Sequence, residues 1–235
     1  MTIALALRCA DGIVVATDGK VTRASTSFRE VAGIAQRTNK THVVAPRVLV
    51  SGAGELALIH AVVERLASLP EEERARGVDA LAPHATAAIA QARAEANARY
   101  AAIYGPAGLQ QAPRAYFILA QADPEPRIVY VSEDGDVEDQ THLGYAVTGS
   151  GDLIVHVRLQ PWDVTTLATD HAAVLAYGLV KDTIDSGTFR VSDPVQVWTL
   201  PRGGAPDEWS PERVAKLAER YRRFRAGMQD LLRRS

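Results

Sequence analysis

The second residue of the chain is a threonine, Thr2, preceded by Met1. A small residue at this place permits the initiator methionine to be trimmed, leaving a free α-amine and a hydroxyl on one residue. An α-amine has an ordinary pKa of roughly 7.7–8.0, so a fair neutral fraction exists near pH 7. It can take the hydroxyl proton directly or through a water, which makes Thr2 nucleophile and base together. Other catalytic sets find less support. The histidines His42, His60, His84, His142, His156 and His171 do not pair at metal-ligand spacing, and there is no HExxH and no cysteine cluster. No GxSxG elbow and no GxxxxGK[ST] phosphate loop is present. Gly52-Ala53-Gly54-Glu55-Leu56-Ala57 has the form of a dinucleotide fingerprint. Such a fingerprint needs a parallel strand directly after its helix, and the next strand pattern begins only near Arg114, after two helical segments.

The elements that must position Thr2 can be read from periodicity. Thr2–Cys9 alternates, Asp11-Gly12 is a hairpin turn, and Ile13–Asp18 returns. In the first of these strands positions 3, 5, 7 and 9 share a face, so Cys9 reads as a small core hydrophobe. Thr41–Ala45 and Val48–Ser51 flank a Pro46-Arg47 turn, after which Glu55–Ser68 changes to helical spacing. Leu69–Gly77 is a charged connector and Val78–Tyr104 an Ala-rich helix, with Pro83 expected to break or restart it near its beginning. Strands at Arg114–Gln121, Arg127–Ser132 and Tyr145–Thr148 follow. Helices come next over Asp152–Leu159 and from Leu167 to a stop at Gly187, then a last strand at Pro194–Leu200. Strands do not alternate one-for-one with helices, which favours antiparallel sheets with helix pairs outside them, an α+β layered sandwich.

Composition sets the outer limits. The chain has 235 residues, 47% of them apolar and 23% charged, enough for a sizeable core. The formal net charge of −2 lacks the basic surplus of a nucleic-acid binder. One cysteine excludes a disulfide framework. No apolar run is long enough to span a membrane and no signal-peptide pattern opens the chain, so a cytoplasmic protein is expected. Residues 1–208 read as one domain and residues 209–235 as a C-terminal amphipathic helix carrying 8 Lys/Arg against 3 Asp/Glu. That helix is expected to pack on the domain, or else to serve a subunit contact or an acidic docking surface.

Taken in order, Thr2, Asp18-Gly19-Lys20-Val21-Thr22, Lys40, Ser51-Gly52, Thr148-Gly149-Ser150-Gly151 and Asp182 resemble the proteasome β-subunit and HslV group of N-terminal-nucleophile hydrolases. The resemblance covers about residues 2–200 in order and element type. It implies a four-layer αββα sandwich and a threonine peptidase that cleaves through an acyl-enzyme on Thr2. Asp18 and Lys40 match the family's acid and the lysine beside the threonine hydroxyl. Such an ammonium would lower the pKa of neighbouring groups, and Asp18 would keep it charged. Gly52 matches the glycine whose N–H stabilises the oxyanion. Ser150 and Asp182 match the pair that supports the α-amine, and Ser186, rather than Asp185, the serine that follows. Thr22 matches the residue that pins an extended substrate. Val21, Thr38, His42, Val50 and Gly54 are placed around a modest, mostly apolar pocket for the residue before the scissile bond.

The interval from Asp18 to Lys40 exceeds the family's usual one, and the extra residues in Ala24–Arg37 imply a longer hairpin. No helix precedes the first strand, which on the resemblance argues for the β-type. The resemblance further implies peptide or unfolded-protein substrates, self-assembly into homo-oligomeric rings and no metal or organic cofactor. With no phosphate loop in this chain, unfolding of protein substrates would need a separate ATPase. Neither nucleic acid nor membrane is an expected partner. An amidohydrolase or peptide ligase using the same Thr2 chemistry, and a catalytically silent assembly subunit, are the alternatives.

Overall fold

The structure, a computed structural model, describes residues 2–22, 35–106, 113–188 and 191–234. Met1 and residues 23–34, which hold most of the expected longer hairpin, lie outside them.

Two antiparallel five-stranded sheets lie face to face between helices, the layered sandwich that the pattern of elements favours and the αββα arrangement that the resemblance implies. The first sheet has the order β10-β1-β2-β11-β12, built from Tyr145–Gly149, Ile3–Cys9, Gly12–Asp18, Val195–Pro201 and Asp207–Glu208. The second runs β5-β6-β7-β8-β9, from Thr41–Ala45, Val48–Gly54, Ala115–Gln121, Arg127–Val131 and Val137–Asp139. A short ribbon, β3 (Lys20–Thr22) with β4 (Ala35–Arg37), leaves the end of β2.

The alternation of β1 explains why it is central. Ile3, Leu5, Leu7 and Cys9 face the helices, whereas Ala4 and Ala6 face the other sheet. The cluster between the sheets mixes such alanines with Ile13, Leu49, Ile118 and Ile128, so small residues on one face admit large ones from the other. On the outside of the second sheet lie α1 (Leu56–Ala67), the short α2 (Glu71–Arg74) and α3 (Val78–Tyr104). On the first lie α4 (Asp152–Leu159), α5 (Thr169–Asp185) and α6 (Pro211–Arg234).

α6 joins the core through buried Leu217 and Tyr221. Gly178 of α5 makes room for it, since a Cβ there would overlap the Tyr221 ring. Beyond Tyr221, α6 leaves Met228 and Leu231 exposed.

Three local expectations need correcting. Pro83 does not break α3. It stands so near the N-terminus that it removes one intrahelical hydrogen bond, to Asp79, just past the turn whose N–H groups have no helical partner anyway. The charged connector holds α2. β6 continues past Ser51 to Gly54, where a φ of +119° and the press of the Arg114 carbonyl require glycine. β6 is flanked by antiparallel β5 and β7, so the glycine run is not part of a dinucleotide-binding βαβ unit. No helix among the described residues is long and apolar enough to cross a membrane.

Candidate active site

The hairpin at Asp11-Gly12 brings the end of β2 back to the start of β1, with Ala4 opposite Thr17. Asp18 therefore arrives beside the backbone of Ile3, whose N–H donates to Asp18 Oδ1 at 2.9 Å. On the other side β10 pairs with β1, Ile3 opposite Gly149, and the Ser150 N–H donates to the Thr2 carbonyl at 2.9 Å. Gly149 has φ +109°, and a Cβ on it would overlap that carbonyl. The Gly149-Ser150-Gly151 run is thus a close backbone wrap around Thr2, which is only 4% exposed.

Lys40 comes from the opposite sheet. The chain enters β5 through Thr38–Lys40, and the Thr38 N–H donates to the Gly19 carbonyl at 3.2 Å. Lys40 Nζ then donates to Asp18 Oδ1 at 2.7 Å, with the two side chains 2% and 0% exposed. The Ser192 N–H reaches Asp18 Oδ2 at 3.4 Å. One carboxylate therefore gathers a lysine ammonium and two backbone donors, from three separate segments. Burial pushes the Lys40 amine below its ordinary pKa, and the Asp18 charge opposes this. Lys40 and the Ile3 amide share one oxygen atom, so the ammonium lies two hydrogen bonds from the residue next to Thr2. An ammonium that holds its proton loosely in a water-poor place can pass that proton to a neighbouring group.

Other expected residues have different partners. The Gly52 N–H donates to the Lys40 carbonyl at 3.1 Å and is engaged in the β5–β6 ladder, whereas the sequence reading takes it as an oxyanion donor. Beside it, the Ser51 and Thr41 hydroxyls are 2.7 Å apart, and a Cβ on Gly52 would press on Ile59. Ser150 meets Thr2 through its backbone, with an exposed side chain. Asp182 is buried, but its carboxylate accepts from Arg158 of α4 and from the Tyr221 hydroxyl and Arg225 of α6, at 2.7 Å for Tyr221 and 3.3 Å for Arg225. Those bonds tie α6 to the body, and the expected support of the Thr2 amine is not among the bonds Asp182 makes. Ser186 closes the end of α5, its hydroxyl donating to the Thr183 carbonyl at 2.7 Å, while Asp185 pairs with Lys181 at 2.9 Å.

The expected pocket is only partly assembled. Val21 and Thr22 stand in β3, opposite Gln36 and Ala35. Thr38 is half-buried. His42 lies across from Val50, with its ring edge-on to His60 at 6.3 Å, and its buried Nε2 has no hydrogen-bond partner. Burial, then the neighbouring His60, pushes its pKa down. Val50 is sealed in the core beneath α1 rather than open to a ligand, and Gly54 is exposed at the start of that helix. Among the described residues no three His, Cys, Asp or Glu side chains gather where they could hold a metal ion. Ser192, and the buried Thr17 and Gln196 beneath this end of the sandwich, belong to no sequence motif and were legible only once the strands were in register.

Comparison with known proteins agrees with this architecture. The family model described as Proteasome subunit matches residues 2–189. Among solved structures, the Anbu (Gly-1) mutant from Hyphomicrobium sp. strain MC1 is similar with a TM-score of 0.72, covering 100% of this chain and 98% of that one at 17% sequence identity. At that identity the likeness is one of fold, the N-terminal-nucleophile hydrolase sandwich. No protein among the curated ones matches the sequence.

Proposed function

Because the chain belongs to the proteasome subunit family, we propose that it is an N-terminal threonine peptidase. With Met1 removed, Thr2 Oγ1 attacks a peptide carbonyl carbon while the α-amine takes the hydroxyl proton. The tetrahedral intermediate collapses to an ester on Thr2, and the amine gives its proton to the departing peptide amine. Water, activated by the same amine, then frees the acid and restores the hydroxyl. Lys40 keeps positive charge beside the nucleophile, and Asp18 holds it there. The observation that carries this reading is the buried Lys40–Asp18 pair at 2.7 Å, whose accepting oxygen also takes the Ile3 amide next to Thr2.

The proposal includes peptide or unfolded-protein substrates, homo-oligomeric rings and a separate ATPase for folded substrates. Its support there is family membership. The engaged Gly52 N–H favours the second reading, a catalytically silent assembly subunit, since losing one oxyanion donor costs studied hydrolases about 10²–10³ in rate.

Intact-mass analysis with an epoxyketone, a probe that needs both the hydroxyl and a free amine, separates the two. The peptidase reading expects a chain lacking Met1 that gains one probe at Thr2, and no gain in Thr2→Ala. Retained Met1, or a trimmed chain that stays unlabelled, would establish the silent subunit instead.

A further inference from the structure

Lys40 stands at the first step of a crossing between the two sheets, and something must keep it over Asp18. Three contacts do so from the first sheet: the ion pair itself, the Thr38 N–H on the Gly19 carbonyl, and a side-chain bond at Asn39. Gln196 of β11 lies opposite Thr17 of β2 and is 4% exposed. The Thr17 hydroxyl donates to Gln196 Oε1 at 3.3 Å, which fixes which end of the amide points outward. The free end, Nε2, donates to Asn39 Oδ1 at 3.0 Å. Asn39 itself is exposed.

We infer that Gln196 is a positioning residue for Lys40, acting through Asn39: the Thr17–Gln196–Asn39 chain fastens the entry of β5 to the first sheet and so sets the lysine on Asp18. The inference deepens the proposed function by naming what holds its cation in place. A buried amide with both ends bonded is a rigid strut, because either end left unpaired would cost desolvation without return. An exposed asparagine, by contrast, ordinarily contributes little to stability. Any effect of Asn39 on Lys40 therefore reports the strut and not general packing. The charged group facing Lys40 Nζ among the described residues is Asp18; His42, two residues on, turns its ring toward His60.

The test uses lysine titration, which needs no turnover. The chain has four lysines, Lys20, Lys40, Lys181 and Lys216, so ¹³Cε-lysine labelling gives four resonances, with Lys40→Met identifying the one of interest. In Asn39→Ala the segment loosens and water reaches the amine. The Lys40 midpoint is then expected to rise by about one pH unit, a tenfold change in its neutral fraction, with Lys181 and Lys216 unmoved and the thermal midpoint unchanged. Gln196→Leu, which cuts the strut from its buried end, should move Lys40 the same way. A Lys40 midpoint that is unmoved in Asn39→Ala overturns the inference. So does a rise accompanied by equal movement of the other lysines, which would report general loosening. A fall would report the ammonium drawn off Asp18 while still buried and would support the inference. Failure of Thr2 to label would defeat the peptidase reading and leave this result standing. An unmoved Lys40 in an enzyme that does label would defeat the strut alone.

Discussion

Replacing Asp18 by asparagine keeps the shape of the side chain and an acceptor for the Ile3 amide, but strands Lys40 as a buried cation. At 2.7 Å, unit charges attract by about 6 kcal/mol at an effective dielectric constant of about 20, a gross figure largely offset by the desolvation of both groups. The loss on removing one partner is the better guide, about 3–5 kcal/mol, because the other is left uncompensated. For a chain of this size that lowers the thermal midpoint by about 10 °C. The pH dependence follows from the lysine. With burial unopposed, Lys40 titrates lower still than in the unaltered protein, where it is already below its ordinary pKa. A lysine with a depressed folded pKa binds fewer protons folded than unfolded, so stability climbs with pH between those two pKa values and is lost as pH falls through the folded one. The deficit of Asp18→Asn should therefore be larger at about pH 7 and shrink as pH rises toward the ordinary lysine value of about 10.4. Urea denaturation at both pH values measures this, and adding Lys40→Met should recover part of the loss. A deficit under about 1 kcal/mol, or one equal at both pH values, would refute the claim that the pair is buried and coupled.

Two further outcomes test the packing. Gly178→Ala sets two effects against each other: alanine gains about 1 kcal/mol in a helix interior, while a Cβ overlapping the Tyr221 ring costs about 1–3 kcal/mol as α6 is pushed away. Net destabilisation in urea is expected, whereas in a Tyr221→Ala background the same Gly178→Ala change should stabilise relative to Tyr221→Ala alone; a stabilised Gly178→Ala in the unaltered protein would show that α6 does not sit there. Burial pushes the Cys9 thiol up to about 11, and it is 3% exposed, so an alkylating reagent at neutral pH should leave the native chain unmodified and react fully in denaturant. Rapid native labelling would contradict the central place of β1.

Much of this protein is written in local patterns. The alternation of Thr2–Cys9 fixes which face of β1 meets helices, and the Asp11-Gly12 turn brings Asp18 back beside Ile3, so the acid's place near Thr2 follows from a two-strand hairpin. At Gly149-Ser150-Gly151 the structure adds the reason for the first glycine, a positive φ against the Thr2 carbonyl. Asp182 and Ser186, which the resemblance places at the Thr2 amine, make other bonds in the structure. Helix position tells which turn a side chain occupies, but the bonds of Asp182 come from Arg158, Tyr221 and Arg225, on helices whose packing no local period encodes. Gly52 shows the converse: its spacing from Lys40 is plain, yet whether its N–H is free depends on the β5–β6 register.

The sequence by itself thus determined the sheets and their inward and outward faces, because periodicity and turn chemistry act over a few residues, while Asp18 and Lys40 were singled out beside Thr2 by the ordered resemblance to a family. Only the tertiary structure decided which buried polar groups satisfy one another. Bonds such as Lys40 to Asp18 from Asn39's neighbouring strand entry, Gln196 to Asn39, and Tyr221 to Asp182 join segments 22, 157 and 39 positions apart. Their partners are chosen by the need to pair every desolvated donor and acceptor once the layers have closed, a condition that exists only in the assembled fold.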